Sequence, residues 1–395
     1  MLPRPSIVVP GIKGTSLENY YAVDPAQIWS TLGALETEVF GPDFTSLALD
    51  PSARTDLASD ILVRPYQALS AAYAPLVSAL RGHTIGGQSP PAYLFPYDWR
   101  FSVAHAAQRL LDFVDAAVVK GQRIGMAGWD GKLNFVCHSM GGLVFRAFLR
   151  AWRMRDPAAP LPVGRVVFLA VPHLGSLEAV EMLIRGESLL LGRKEMRKLA
   201  RTFPSVYELL PRFAGAVLDA AGAAVDIWQE AMWQTNVTTA TPDPNGLDVV
   251  QARLDDAARV LGGLPFPVEV GVAREDVLTI HGRRAGKTLL NVSVGPNAEE
   301  NVPNWFDFDH ATFGDGDGIV PTTSSVVPGA GCAAIEIAEA DVPYLDVKTR
   351  LVSMHAFLPT LDEVSTVVAR FFDGANTAGE LVPRGMPDGR YVALP

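Results

Sequence analysis

Three short, unbroken apolar runs set the terms for this chain: Ser6–Pro10 (SIVVP), Lys132–Cys137 (KLNFVC) and Arg165–Ala170 (RVVFLA). A run that is continuous rather than alternating fits a strand buried on both faces. Between these runs lie stretches with helical periodicity. In Ser102–Val119 the residues Val103, Ala107, Leu110, Leu111, Val114 and Val118 share one stripe, with His105, Gln108, Arg109 and Asp112 away from it. Gly141–Arg153 reads as another helix, and Ala92–Tyr97 (AYLFPY) as a weaker strand interrupted by Pro96. Buried strands separated by helices predict an α/β fold, with a mostly parallel central sheet covered by helices on both faces.

The pattern changes after Leu174. No strand-like run occurs before Pro265, while Leu177–Leu199 and Phe213–Trp233 look helical and Thr238–Gly246 reads as a loop. This predicts an inserted, mainly helical cap. Strand-like runs return at Val268–Val272 and Leu289–Val294. The basic turn Gly282–Gly286, between Leu278–His281 and Leu289, predicts a hairpin. Tyr344–Ser353 leads to a last strand, and Leu361–Phe372 to a helix. The expected organisation is a core in two parts, 1–173 and 266–375, a cap over 174–265, and a tail over 376–395.

With 48% apolar and 19% charged residues in 395, the chain can bury a large core. A net charge of -10, from 33 basic and 43 acidic residues, argues against a nucleic-acid partner, which calls for a basic face. It gives no support for attraction to anionic lipid, but leaves transient contact with a neutral or zwitterionic surface open. Two cysteines, Cys137 and Cys332, make neither a disulfide framework nor a cysteine zinc site. No metal and no cofactor are expected. No stretch reaches the ~18 apolar residues of a membrane span. The best candidate, Ala214–Trp228, is broken by Asp219 and Asp226. The opening residues do not read as a signal peptide, so the expectation is a cytoplasmic protein, with a secreted one stripped of its leader as the alternative.

The segment Phe135–Gly142 (FVCHSMGG) carries the chemistry. A strand runs into Ser139 and a helix starts straight after it, which is the setting of a nucleophile elbow. Such a turn lifts the hydroxyl out of the sheet above the N–H groups of the helix start. The usual first glycine is replaced by Cys137, so either the turn opens slightly or the thiol tucks into the core. A serine needs a base, and the base an orienting acid, in the chain order Ser, acid, His. The glycine-rich loop Phe313–Pro321 (FGDGDGIVP) supplies Asp317 as the acid, with Asp315 as the alternative. His355 follows that loop and a strand-like run (Lys348–Ser353) and is the expected base. His310 breaks the order, His281 sits in the expected hairpin, and His138 reads as packed or hydrogen-bonded. One oxyanion donor is expected from the Met140 amide. The other belongs in the loop Pro10–Gly14 after the first strand.

The motifs VPGIKGTSLE (9–18), PYDWR (96–100), CHSMGG (137–142), AVPHLGS (170–176), RTFPSVYELLP (201–211), GDGDGIVP (314–321) and SMHAF (353–357) occur in this order. Together they resemble the lecithin:cholesterol acyltransferase family, which includes lysosomal phospholipase A2 and phospholipid:diacylglycerol acyltransferases. The resemblance implies an α/β-hydrolase fold with Ser139, Asp317 and His355 as catalytic residues. It places the second oxyanion amide at Lys13. It also implies a mobile lid within 20–60, with Trp29 in Gln27–Leu35 and the neighbouring Ile12 as lid or substrate residues. The lid disulfide of the animal enzymes is absent, since no cysteine precedes Cys137. In PYDWR, Asp98 and Arg100 read as a structural ion pair.

The function that follows is a serine hydrolase acting on acyl esters of lipids through an acyl-enzyme, with transfer to an alcohol as a further capacity. The alternatives are a serine esterase, thioesterase or lactonase of small non-lipid esters, and an inactive binding module on the same fold. The expected partner is a lipid or another hydrophobic ester.

Overall fold

The computed structural model describes residues 4–19, 26–29, 47–49, 63–84, 87–124, 128–186, 193–238, 249, 251–297, 302–327, 331–341, 353–383, 385 and 390–394. In chain order the elements up to the cap are β1 (Ser6–Val9), β2 (Thr15–Asn19), β3 (Ala26–Trp29), β4 (Val63–Ala68), α1 (Ser70–Gly82), β5 (Ala92–Leu94), α2 (Val103–Ile124), β6 (Leu133–His138), α3 (Gly141–Arg155) and β7 (Val163–Leu169). The cap region holds α4 (Leu177–Ile184), α5 (Arg193–Thr202), α6 (Pro204–Tyr207), β8 (Val217–Asp219) and α7 (Gln251–Gly262). Then follow β9 (Val277–Arg283), β10 (Thr288–Asn297), β11 (Val302–Gly314), α8 (Thr322–Ser325), β12 (Ala333–Ala338), α9 (Met354–Phe357), α10 (Asp362–Phe372), α11 (Ala378–Leu381) and β13 (Tyr391–Ala393).

The main sheet runs β13-β12-β9-β7-β6-β1-β5, parallel except for β13. Strand periodicity sends alternate side chains to opposite faces. Ile7, Val9, Phe135, Cys137, Val166 and Phe168 pack with Leu110 and Val114 of α2 and Leu143 and Phe148 of α3. Val8, Val136, Val167, Leu169, Leu278 and Ile335 pack with Leu76 and Leu80 of α1 and Val364 and Phe371 of α10. Both faces are dry, which is why the strands read as unbroken apolar runs. The α/β fold with helices on both faces is the one expected. No helix among the described residues is long and apolar enough to cross a membrane.

Several local readings are corrected. Phe213–Trp233 is not helical: it contains β8, turns and a short 3-10 segment. Gly215 and Gly222 take positive φ (76° and 81°), and the Asp219 carboxylate accepts from Ala221 and Ala223 N–H at 2.9 and 2.8 Å, a local closure that competes with a helix. The expected strand at Val268–Val272 is a 3-10 turn, Pro267–Val270, closed by Gly271 at φ 93°. Residues 282–286 do not join a hairpin. β9 lies between β7 and β12 in the main sheet, while β10 pairs with β11 and β8 in a second sheet. That hairpin leans on the cap, with the Phe306 and Trp233 rings 5.5 Å apart. β12 (AAIEIA) escaped the sequence reading because alanine has little strand propensity; burial on both faces decides it. The expected strand at 348–353 lies almost wholly outside the described residues, as do 30–46 of the lid stretch and 239–246 of the cap loop.

Two buried polar contacts tie cap to core. Arg100, fully buried, makes a bidentate pair with Asp98 (2.7 and 3.0 Å) and donates to the Leu47 carbonyl at 3.0 Å. This is the structural pair expected from PYDWR. Glu208, at the end of α6, caps α2: it accepts from Ser102 Oγ at 2.5 Å and from Val103 N–H at 2.7 Å. Burial pushes its carboxyl up from 4.5 to about 7.

Replacing Arg100 with Met should cost about 3–5 kcal/mol in denaturant unfolding, because Asp98 is left charged and unpaired in the interior. Glu208 has a raised folded-state value, so its stabilisation is full below about 4.5 and is lost as pH rises through about 7. Melting curves from pH 4.5 to 8 should show Glu208→Gln flattening that part of the pH dependence. An unchanged slope would remove Glu208 as its source.

Candidate active site

The strand order reverses at β1. The chain passes from β1 to its neighbour β5 on one side, then to β6 on the other. In open α/β sheets ligands bind at the carboxyl ends of the strands flanking such a point. Here those ends carry Pro10–Gly14, after β1, and Ser139, directly after β6.

Ser139 sits at φ 52°, a left-handed turn that a non-glycine residue takes only under constraint. Its N–H donates to Leu169 O at 2.9 Å and its carbonyl accepts from Gly142 N–H at 2.9 Å, so the strained turn is held at both ends. A Cβ on Gly141 would collide with the carbonyl oxygens of Val9 and Pro10, so only glycine lets α3 start this close to β1. A Cβ on Gly11 would lie 2.8 Å from that of Ser139. The thiol of Cys137 is wholly buried on the α2/α3 face, so the missing glycine is absorbed by the core. Burial also raises the Cys137 thiol well above its ordinary value, which keeps it unreactive.

Three residues distant in sequence meet here. His355, on α9, has Nε2 2.8 Å from Ser139 Oγ and Nδ1 2.6 Å from Asp317 Oδ2. The other oxygen, Asp317 Oδ1, accepts from Ile319 and Val320 N–H at 3.0 and 2.8 Å, which fixes the carboxylate's orientation. Asp317 is 1% exposed and His355 8%. Asp315, the alternative, points elsewhere: it is exposed, pairs with Arg283 at 3.0 Å and accepts from Gly286 N–H at 3.2 Å. The Arg283 guanidinium holds its carboxyl below the ordinary value.

The loop after β1 turns tightly, with Gly14 N–H donating to Gly11 O at 3.1 Å and Lys13 at φ 61°. The Lys13 carbonyl accepts from the Trp29 indole at 3.0 Å, and the Lys13 ammonium lies 5.9 Å from that ring. Trp29 is itself edge-on to Trp99 at 5.2 Å. The Trp29 expected in a lid is thus placed as a prop behind the turn, on β3. Ile12 is half-buried against the core. Met140 is wholly buried at the start of α3, and among the described residues its amide has no backbone partner.

Of the other histidines, His281 is buried within β9, His310 is exposed and 2.8 Å from Asp307, and His105 lies 5.0 Å from Phe101. None of these joins Ser139. Sequence reading missed Tyr73 on α1, whose hydroxyl is 2.8 Å from His138 Nδ1. Its only signal was a helical apolar stripe, which any core tyrosine shares.

A hydroxyl bonded to an imidazole that is oriented by a carboxylate, beside unpaired amides at a helix start, can add to a carbonyl and stabilise the oxyanion formed. Fold and site together define an α/β hydrolase. Residues 86–249 match the family described as Lecithin:cholesterol acyltransferase, which bears out the resemblance drawn from the motifs. The match includes Ser139 and ends before Asp317 and His355. None of the curated proteins matches the chain. Among solved structures, a chain of "The crystal structure of Tle4-Tli4 complex" is similar at 18% identity and a TM-score of 0.55, over 82% of this chain and 89% of that one. "Crystal structure of Bacillus licheniformis lipase BlEst2 in mature form" gives 13% identity and a TM-score of 0.34, over 89% and 92%. "Phospholipase PlaB from Legionella pneumophila in complex with thio-NAD" gives 12% and 0.32, over 65% and 41%. The likeness in fold rests on the first of these.

A fluorophosphonate probe should label Ser139, detected by peptide mass spectrometry. Asp317→Asn should slow labelling by roughly 10³-fold or more, as expected when the orienting acid is lost. Asp315→Asn should stay within about 3-fold of the parent, because an exposed ion pair contributes little. The opposite ranking would reassign the acid.

Proposed function

We propose that this protein is a serine hydrolase of lipid acyl esters. The observation that carries the reading is the unbroken hydrogen-bonded series Ser139–His355–Asp317 at the carboxyl edge of the sheet. In this reading Ser139 Oγ attacks the ester carbonyl while His355 Nε2 takes its proton. Asp317 holds the ring and stabilises its charged form. The Met140 and Lys13 amides receive the oxyanion, a contribution of about 3 kcal/mol per donor. The tetrahedral adduct collapses as His355 protonates the departing alcohol, leaving an acyl-Ser139. Water then attacks with His355 as base, and an alcohol in water's place gives acyl transfer.

The lipid assignment is supported by the family match and by an apolar roof, although Leu183, Ile184, Ile227 and Trp233 are buried as the roof's own core. Hydrolysis is favoured over transfer because water is always present, whereas acceptor selectivity calls for a dedicated second site.

Incubation with mixed phospholipids and acylglycerols, with and without a long-chain alcohol, should release fatty acid as read by mass spectrometry. Ser139→Ala should abolish release with its melting temperature within a few degrees of the parent. A preference for short, water-soluble esters would replace lipids with small esters as the substrate class. Failure of both turnover and fluorophosphonate labelling would leave a binding module.

A further inference from the structure

His138 and Tyr73 have no part in the reaction just described, yet both are buried against it. His138 follows Val136 on the α1 face of the sheet, and there its Nδ1 lies 2.8 Å from Tyr73 Oη. Its Nε2 lies 3.1 Å from the backbone carbonyl of His355. Tyr73 Oη also accepts from Gly11 N–H at 2.9 Å. The hydroxyl is closely cradled, since a Cβ on Gly14 would come within 2.9 Å of it.

The proton positions follow from these partners. The Gly11 amide can only donate, and the His355 carbonyl can only accept. Tyr73 therefore receives one hydrogen bond and gives its own proton to His138 Nδ1. His138 is left as the neutral tautomer with its proton on Nε2, aimed at His355 O. All the bonds point the same way, from Gly11 through Tyr73 and His138 to His355, an arrangement in which each bond polarises the next. Burial and the neighbouring His355 hold His138 well below its ordinary pKa, in agreement with a neutral ring. The His138 and His355 rings lie 5.0 Å apart, so a neutral His138 also spares His355 a like charge when it takes a proton.

We propose that Tyr73 and His138 are positioning residues that lock the backbone of His355 to the oxyanion loop, so that base and oxyanion amides keep one register. This rests on the proposed Ser139–His355–Asp317 chemistry. Neither residue touches the reacting atoms. Tyr73 commits the Gly11 amide, while His138 fixes the main chain from which the His355 ring projects.

The test is a double-mutant cycle on ester turnover with Tyr73→Phe and His138→Phe, with His138→Gln as the conservative variant that keeps a donor near the Nε2 position. Tyr73→Phe and His138→Phe should each lower kcat by about 10-fold or more, with KM within about 2-fold, since catalytic geometry rather than binding is lost. The double variant should be little worse than the poorer single one, because the two act as one unit. His138→Gln should recover part of kcat. Melting temperatures identify any variant that fails to fold, and Tyr73→Phe, which only removes an oxygen, keeps the test alive if His138→Phe does not fold. Unchanged kcat in folded Tyr73→Phe, or additive losses, would overturn the relay. Turnover surviving in Ser139→Ala would instead overturn the underlying reading, so the two failures are separable.

Discussion

The parallel pairing of β1 with β6 is the contact on which the site depends. It sets Val9 against Cys137, so the two strands end together. Everything that follows β1, from Pro10 to Gly14, then faces everything that follows β6, from His138 to Gly142. A slip of one residue would turn every side chain of the strand to the other face. Ser139 would leave the sheet edge, and His138 would move from Tyr73 into the α2/α3 core. The glycine at 141 makes this pairing tighter still, because it lets the first turn of α3 rest on the carbonyls that end β1.

Backbone strain gathers along this edge. Among the described residues, the non-glycine positions with positive φ are Lys13, Ser139 and Ala170. They follow the neighbouring strands β1, β6 and β7. A left-handed turn at a residue with a side chain costs about 1–3 kcal/mol and persists only where the surroundings over-determine it. Here they do: Ser139 is tied through both of its backbone polar groups, Ala170 N–H donates to Ile280 O at 2.8 Å, and Trp29 holds the Lys13 carbonyl. Each turn swings the chain sharply at the end of a strand, so that amides and a hydroxyl collect over a single rim. The fully buried strands beneath provide the rigid base against which such strain is maintained.

How far the site could be read from sequence depended on whether its parts were covalently adjacent. Ser139 was legible because strand, turn and helix follow one another within a dozen residues. Asp317 and His355 were legible through chain order and local glycine pattern. Tyr73 was not, since it lies 65 residues from the histidine it meets and carries no motif of its own. The fold shows the same division. Strands with β-branched runs declared themselves, whereas β12, rich in alanine, is a strand only because β9 and β13 flank it. The run at 268–272 has strand-like residues, but Pro267 and Gly271 close it into a turn, and local geometry prevails over apolar pattern. The Gly282–Gly286 segment misled for the opposite reason. A hairpin reading assumes that neighbours in sequence pair, but β9 is buried on both sides by parallel strands and has no edge left for β10.

The acid loop shows how two similar residues come to differ. Asp315 and Asp317 share a glycine-rich segment and nearly the same chemistry, and sequence alone favoured one only by its spacing from Pro321. The fold separates them by burial. Asp315 remains in water and is occupied by Arg283. Asp317 turns inward, where two amides hold one oxygen and leave the other to His355. A buried carboxylate is tolerated only when its lone pairs are satisfied. The donors Ile319 and Val320 therefore do more than shape the loop. They allow the carboxylate to stay charged in the interior, which a group orienting an imidazole must do. Removing those amides from the carboxylate would weaken the base at His355 without touching either ring.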